Sequence, residues 1–176
     1  MSNMKKISLL FICALLAINA NAQNKWDKDT DVIMDIGGIK LWESLTREEF
    51  ERHFGPALSD RYIEEDMGNY YLLEYEGVKI FLDEDGRMSG FEVDSSKYPI
   101  MTLYGLGEGI RVGDTWEKFL SMGYPIYSIK EVGKRTNDVR RYDVALWHKN
   151  TVADRFTIFT VENGLITNIL SDVIAW

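Results

Sequence analysis

One layout occurs twice in this chain, and it restricts the fold more than any other feature. Residues 39–56 (IKLWESLTREEFERHFGP) and 110–125 (IRVGDTWEKFLSMGYP) both run from an apolar entry through a capping residue and a short helix to a Gly/Pro stop. In the first, Thr46 with Glu49 three residues later makes a capping box, and Leu45 before it can staple onto Phe50. Phe50 and Phe54 lie four apart, on one face of a helix predicted over residues 47–54. In the second, Asp114 or Thr115 caps a helix carrying Trp116, Phe119 and Leu120.

After each helix the apolar period changes to two, the repeat of a strand. In the first half Tyr71, Leu73 and Tyr75 fall on one side and Glu76-Gly77 turns the chain. Val78, Ile80 and Leu82 then alternate with Lys79 and Phe81, and a third strand over 87–93 follows Asp85-Gly86. In the second half, strands are predicted over 139–148, 155–161 and 165–172, with Asn163-Gly164 as the equivalent hairpin turn. The offset between halves grows from 69 at Pro56 and Pro125 to 78 at Gly86 and Gly164, which places about nine extra residues around 130–142. Two copies are too few for a solenoid, so they are expected to share one sheet.

The residues Ile110-Arg111-Val112-Gly113-Asp114-Thr115, Trp116-Glu117-Lys118-Phe119 and Gly123-Tyr124-Pro125 carry a resemblance. They resemble the helix opening of β-lactamase-inhibitor-protein-like (BLIP-like) modules and of the outer-membrane-lipoprotein SmpA/OmlA-like modules. The first half departs from that pattern, with Trp42-Glu43-Ser44-Leu45 in place of the Gly-Asp-Thr turn. The resemblance implies an α+β fold of two tandem helix-plus-antiparallel-meander units sharing one sheet, helices on one face. It also implies binding rather than catalysis, since such families are mostly exported binding proteins, some inhibiting enzymes and others serving envelope assembly. The organisation expected is a signal peptide over 1–22, an N-terminal arm over 23–38, a first repeat over 39–97, a linker over 98–109 and a second repeat over 110–176. Residues 39–176 then make one globular domain.

The first residues follow the order of an export signal: Lys5 and Lys6, an apolar stretch over 7–18, and Ala20-Asn21-Ala22 as the cleavage site. That stretch of 12 residues falls short of the roughly 20 a membrane-spanning helix needs. Ile12 before Cys13 does not suit lipid attachment, so cleavage after Ala22 and a periplasmic or secreted location, without stable membrane insertion, are expected. Cys13 is the one cysteine, and its removal leaves a chain with no disulfide, thiolate metal site or cysteine nucleophile. Without Lys5 and Lys6, the 20 basic residues become 18 against 28 acidic ones, a net charge of −10 that argues against nucleic acid.

The candidates for chemistry read mostly as structure. Asp27, Asp29 and Asp31 alternate as in a calcium loop, but Val32 stands where the turn needs glycine. Residues 23–38 are therefore read as a solvated arm. His53 and His148 have no second histidine at metal-site spacing, and no serine sits in a nucleophile elbow. Gly105, Gly107 and Gly109 follow no strand that would make a phosphate cradle and are assigned to the linker. The cluster Asp83-Glu84-Asp85 reads as a hairpin turn. No catalytic residue, metal ligand or cofactor is assigned. Among the aromatics, Phe50, Phe81, Phe119 and Phe159 are expected in the core, while Tyr70, Tyr71, Trp147 and Trp176 stay open.

One cluster stands out against the acidic background. Lys130, Lys134, Arg135, Arg140 and Arg141 crowd into twelve positions of the inserted segment, beside Tyr127 and Tyr142. Arginine and tyrosine are favoured interface anchors, so Lys134, Arg135, Arg140, Arg141, Tyr142 and Trp147 are the candidate residues for a protein partner. The combined expectation is an exported, non-catalytic protein that binds or inhibits a protein partner in the envelope or outside the cell. Two alternatives stay open: a carboxylate-based hydrolase of glycans using Asp83, Glu84 or Asp85, and a small-ligand carrier with an apolar cleft between helices and sheet.

Overall fold

The computed structural model describes residues 34–64, 69–102, 107–133, 138–148, 151–152 and 155–173. The expected signal peptide, most of the expected arm, Lys134, Arg135 and Trp176 lie outside them. A small hairpin, β1 (Asp35–Ile36) and β2 (Ile39–Lys40), leads to helix α1 (Arg47–Phe54). Four strands follow: β3 (Ser59–Ile63), β4 (Tyr70–Tyr75), β5 (Val78–Leu82) and β6 (Met88–Val93). Helix α2 (Trp116–Ser121) opens the second half, with β7 (Ile126–Glu131), β8 (Val139–His148), the short β9 (Thr151–Val152), β10 (Arg155–Glu162) and β11 (Leu165–Val173) behind it.

The fold is α+β and mostly antiparallel sheet. Strand order is β3-β4-β5-β6-β11-β10-β8-β7, with β9 paired to β8. Each half forms a meander, and the last strand of each meets the other at β6–β11, where Phe91, Glu92 and Val93 oppose Ser171, Leu170 and Ile169. These two strands lie at the centre because they are the ones rich in fully buried residues, among them Met88, Phe91, Val93, Ile166, Ile169 and Ser171. One cross-strand row runs through six strands as Tyr75–Val78–Val93–Ile169–Phe159–Tyr142. At its ends Phe54 of α1 packs on Tyr75 at 5.5 Å, and Trp116 of α2 stacks on Tyr142 at 4.6 Å. The neighbouring row, Glu74–Lys79–Glu92–Leu170–Ile158–Asp143–Lys130, points to the other side of the pleat and is largely polar.

The helix ends follow their local chemistry. Thr46 and Glu49 exchange side-chain-to-backbone hydrogen bonds in a capping box, and Thr115 caps α2 by accepting from the Lys118 N–H. Phe50, Phe54 and Phe119 are buried in one continuous apolar cluster with Phe159, whereas Leu120, expected on the apolar face, is 45% exposed. Asn163 and Gly164 both take positive φ, at 51° and 81°, as a two-residue hairpin turn demands.

Several expectations need correction. Met34, Asp35 and Ile36, read as part of a solvated arm, are fully buried. The Asp35 carboxylate is held by the Thr102 hydroxyl at 2.6 Å and the Gly38 N–H at 3.2 Å, so an acidic residue sits inside by being hydrogen-bonded. The expected linker over 98–109 supplies buried Tyr98, Ile100, Met101 and Thr102, with Ile100 bridging both Ile36 and Ile110. Strands β3 and β7 carry no buried residue and gave no alternating apolar signal, because edge strands need not bury a full face. Phe81, expected in the core, is only half-buried and meets Tyr70 edge-on at 5.8 Å, because its register turns it away from Ile80.

Tyr75 yields a test of the core. It is 3% exposed, and its hydroxyl finds no hydrogen-bond partner among the described residues. Burial, followed by the nearby Glu51 carboxylate, pushes its ionisation up to about 12. Tyr75→Phe is expected to raise stability by about 1 kcal/mol, since an unsatisfied buried hydroxyl costs that much or more. A phenol that ionises at about 10 when unfolded and about 12 when folded favours the fold below pH 10 and loses that contribution as pH rises to 12. Urea titrations at pH 7 and 11 should show the wild-type chain losing more stability between them than Tyr75→Phe loses.

Candidate functional site

At the far end of the buried aromatic row, α2, the start of β8 and the β10–β11 turn border a cleft of about 240 Å³ lined by Trp116, Glu117, Asp138, Arg140, Tyr142, Val161, Asn163 and Gly164. The cap at Thr115 starts the helix so that Trp116 occupies its first turn, and the Trp116 N–H donates to the Gly164 carbonyl at 2.9 Å, tying helix to hairpin. The Trp116 ring lies nearly parallel to Tyr142 (11°) and 5.0 Å from Phe119, so its position is set from both faces. Asn163 N–H donates to the Asp138 carbonyl at 3.1 Å, fixing the mouth of the hairpin.

Arg140 is exposed and donates through Nη1 to the Tyr142 hydroxyl at 3.4 Å. That hydrogen bond, with Coulombic help from Tyr142 and Glu131, holds its guanidinium pKa above the ordinary value. Val161 opposes Arg140, and Thr160 opposes Arg141, so consecutive arginines leave the sheet on opposite faces. The candidate cluster is thus divided: Arg140 and Tyr142 come together beside Trp116, while Arg141 shares the other face with Lys130. Lys134 and Arg135 lie outside the described residues, and Trp147 pairs with Val152 in the sheet but its side chain lies outside the description.

The ion pairs sort the arginines into two groups. Arg47 reaches Glu51 at 3.2 Å and also contacts Asp60; Arg52 meets Glu49 at 3.6 Å, Arg61 meets Glu74 at 3.1 Å and Arg87 meets Asp85 at 3.1 Å. Arg111, Arg140 and Arg141 form no ion pair with any described residue.

The acidic cluster has a different role. Asp83 accepts from the Arg87 N–H through its carboxylate at 2.8 Å and from the Gly86 N–H through its carbonyl at 3.0 Å, and Asp85 pairs with Arg87. Asp83, Glu84 and Asp85 therefore build the β5–β6 turn, with Glu84 and Asp85 exposed. Among the described residues no cluster of histidine and acidic side chains is placed to hold a metal ion, and no helix is long and apolar enough to cross a membrane.

Trp116, Glu117 and Asn163 were not singled out as site residues from the sequence. They lie 24, 23 and 23 residues from Arg140, Arg140 and Arg140 respectively, and only the β8–β10 pairing and the helix-to-hairpin hydrogen bond bring them together. Neither a family model, nor a curated protein, nor a solved structure matches the chain.

Proposed function

We propose that this is an exported, non-catalytic binding protein that engages an acidic surface of a protein partner in the periplasm or outside the cell. On this reading it comprises two copies of one helix-plus-meander unit, with both helices on one face of the joined sheet. Support for the duplication comes from the strand order, in which each meander gives its last strand to the seam, and from the aromatic row capped by a helix at either end.

The observation that carries the partner reading is the absence of any ion pair from Arg140 and Arg141 to the described residues, when Arg47, Arg52, Arg61 and Arg87 are all paired. An exposed guanidinium next to a stacked aromatic pair offers the planar donors and rigid apolar area that interface anchors use. Lys134, Arg135 and Trp147 are included in the proposed contact on their sequence positions alone.

The test uses photo-reactive amino acids placed at position 138, at the mouth of the cleft beside Arg140, and, as a control, at Tyr62 on the opposite sheet edge, in the producing organism. One recurrent protein adduct from position 138 and none from 62 is expected. Replacing Arg140 and Arg141 with Ser should then weaken binding to that partner about tenfold or more, and the loss should shrink as salt is raised. An adduct from both positions, or equal affinity of the Ser variant, would overturn the assignment.

A further inference from the structure

Arg111, the third arginine without an ion pair among the described residues, belongs to a second and larger cleft, of about 440 Å³, on another part of the molecule. Its lining comes from four separated stretches: the β1–β2 turn (Gly37, Gly38), the last turn of α1 (His53), the segment after β6 (Lys97, Tyr98, Pro99) and the approach to α2 (Thr102, Gly107, Glu108, Arg111). Arg111 spends Nη1 on the Ser96 carbonyl at 3.1 Å and the Lys97 carbonyl at 2.9 Å, which anchors the guanidinium without neutralising it. The Lys97 ammonium stands 5.2 Å from the Tyr98 ring centre and forms no ion pair with the described residues. Glu108 is the single carboxylate of the lining, so Lys97 and Arg111 leave the cleft with net positive charge in an acidic chain.

We infer that this cleft binds a small oxyanion-bearing molecule, carboxylate or phosphate, held by Lys97 and Arg111. Three features argue for a small ligand over a macromolecular surface. The space is an open depression whose volume falls within the roughly 300–1,000 Å³ range of small-molecule sites. Its floor is rigid, since Thr102 is buried and bonded to Asp35, and the Gly37 N–H donates to the Pro99 carbonyl at 2.7 Å. The two cations are positioned by backbone carbonyls and a ring face, interactions that orient positive charge while leaving it available to an anion. The inference is independent of the protein-partner reading, which rests on Arg140 and Arg141.

The experiment titrates the purified chain with inorganic phosphate and, separately, with citrate at constant ionic strength, following the amide resonances of Gly37, Gly38 and Gly107. Saturable shifts with at least one of the two anions are expected, and which anion saturates first identifies the oxyanion class. Because the Lys97 side chain makes no hydrogen bond with the described residues, Lys97→Gln should weaken that binding about tenfold, and the Lys97→Gln/Arg111→Gln double variant further still. Arg140→Gln should leave it unchanged. Shifts that rise linearly without saturation for both anions, equal affinity in Lys97→Gln, or loss on Arg140→Gln would each overturn the assignment.

Discussion

Gly109→Ala is expected to lower stability by about 3 kcal/mol, although the position falls in a stretch that reads as a linker. Gly109 adopts φ +64°, and a Cβ there would stand 2.4 Å from the Ile100 carbonyl oxygen and 2.8 Å from Thr102 Cγ2. The nearer atom is backbone, and it is pinned. Ile100 and Ile110 exchange two hydrogen bonds of 2.9 Å, and Ile100 also bridges to Ile36. Relief of the clash therefore has to move the segment that joins the β1–β2 hairpin to the approach of α2. Gly113→Ala separates the two contributions, because Gly113 also has positive φ, at 93°, yet its Cβ would meet nothing within 4 Å. It should cost only the conformational part, about 1 kcal/mol. Urea unfolding of the two variants measures the difference, and equal losses would mean that the close approach to Ile100 carries no weight.

Phe119→Ala should be more costly still, about 3–5 kcal/mol. Phe119 is fully buried and touches Phe159 at 4.5 Å, Trp116 at 5.0 Å and Tyr124 at 5.7 Å. Its removal leaves a void that Phe159 cannot fill without leaving the Val93–Ile169–Phe159 row, so collapse is limited by the sheet itself. Trp116 loses the ring that supports one of its faces, and its fluorescence should shift to the red even where the variant remains folded. Leu120→Ala, one position along the same helix but 45% exposed, should change stability by less than about 0.5 kcal/mol. Because the apolar cluster runs continuously through both halves, Phe119→Ala is expected to unfold in one transition that takes the β3–β6 meander with it. A second, later transition from the first half would contradict that.

The parts of the fold that depend on a few neighbouring residues were legible in the chain. Thr46 and Glu49 announced the start of α1, Gly55-Pro56 its end, and Asn163-Gly164 a hairpin turn, because caps and tight turns are settled by hydrogen bonds and φ values within three or four residues. The alternation of Tyr71, Leu73 and Tyr75 with their neighbours likewise located β4. The candidate cluster was legible only as composition. Five cations in twelve positions were visible, but not that Arg140 and Arg141 would leave opposite faces, nor that Trp116 would stack on Tyr142. Lys97 and Arg111, fourteen residues apart with nothing between them to suggest a site, gave no signal at all.

Local stereochemistry thus determined two short helices, their caps, the hairpin turns and an antiparallel habit, and charge balance made every unpaired cation worth locating. Tertiary structure alone decided that β6 and β11 meet at the centre, that Asp35 and the stretch from Tyr98 to Thr102 are interior, and which arginines find carboxylates. The physical reason is the range of the interactions. Caps and turns close over a few bonds of chain, whereas strand order, burial and ion pairing are set by contacts between residues as distant as Asp35 and Thr102 or Glu92 and Asn168, whose energies exist only once the sheet has assembled.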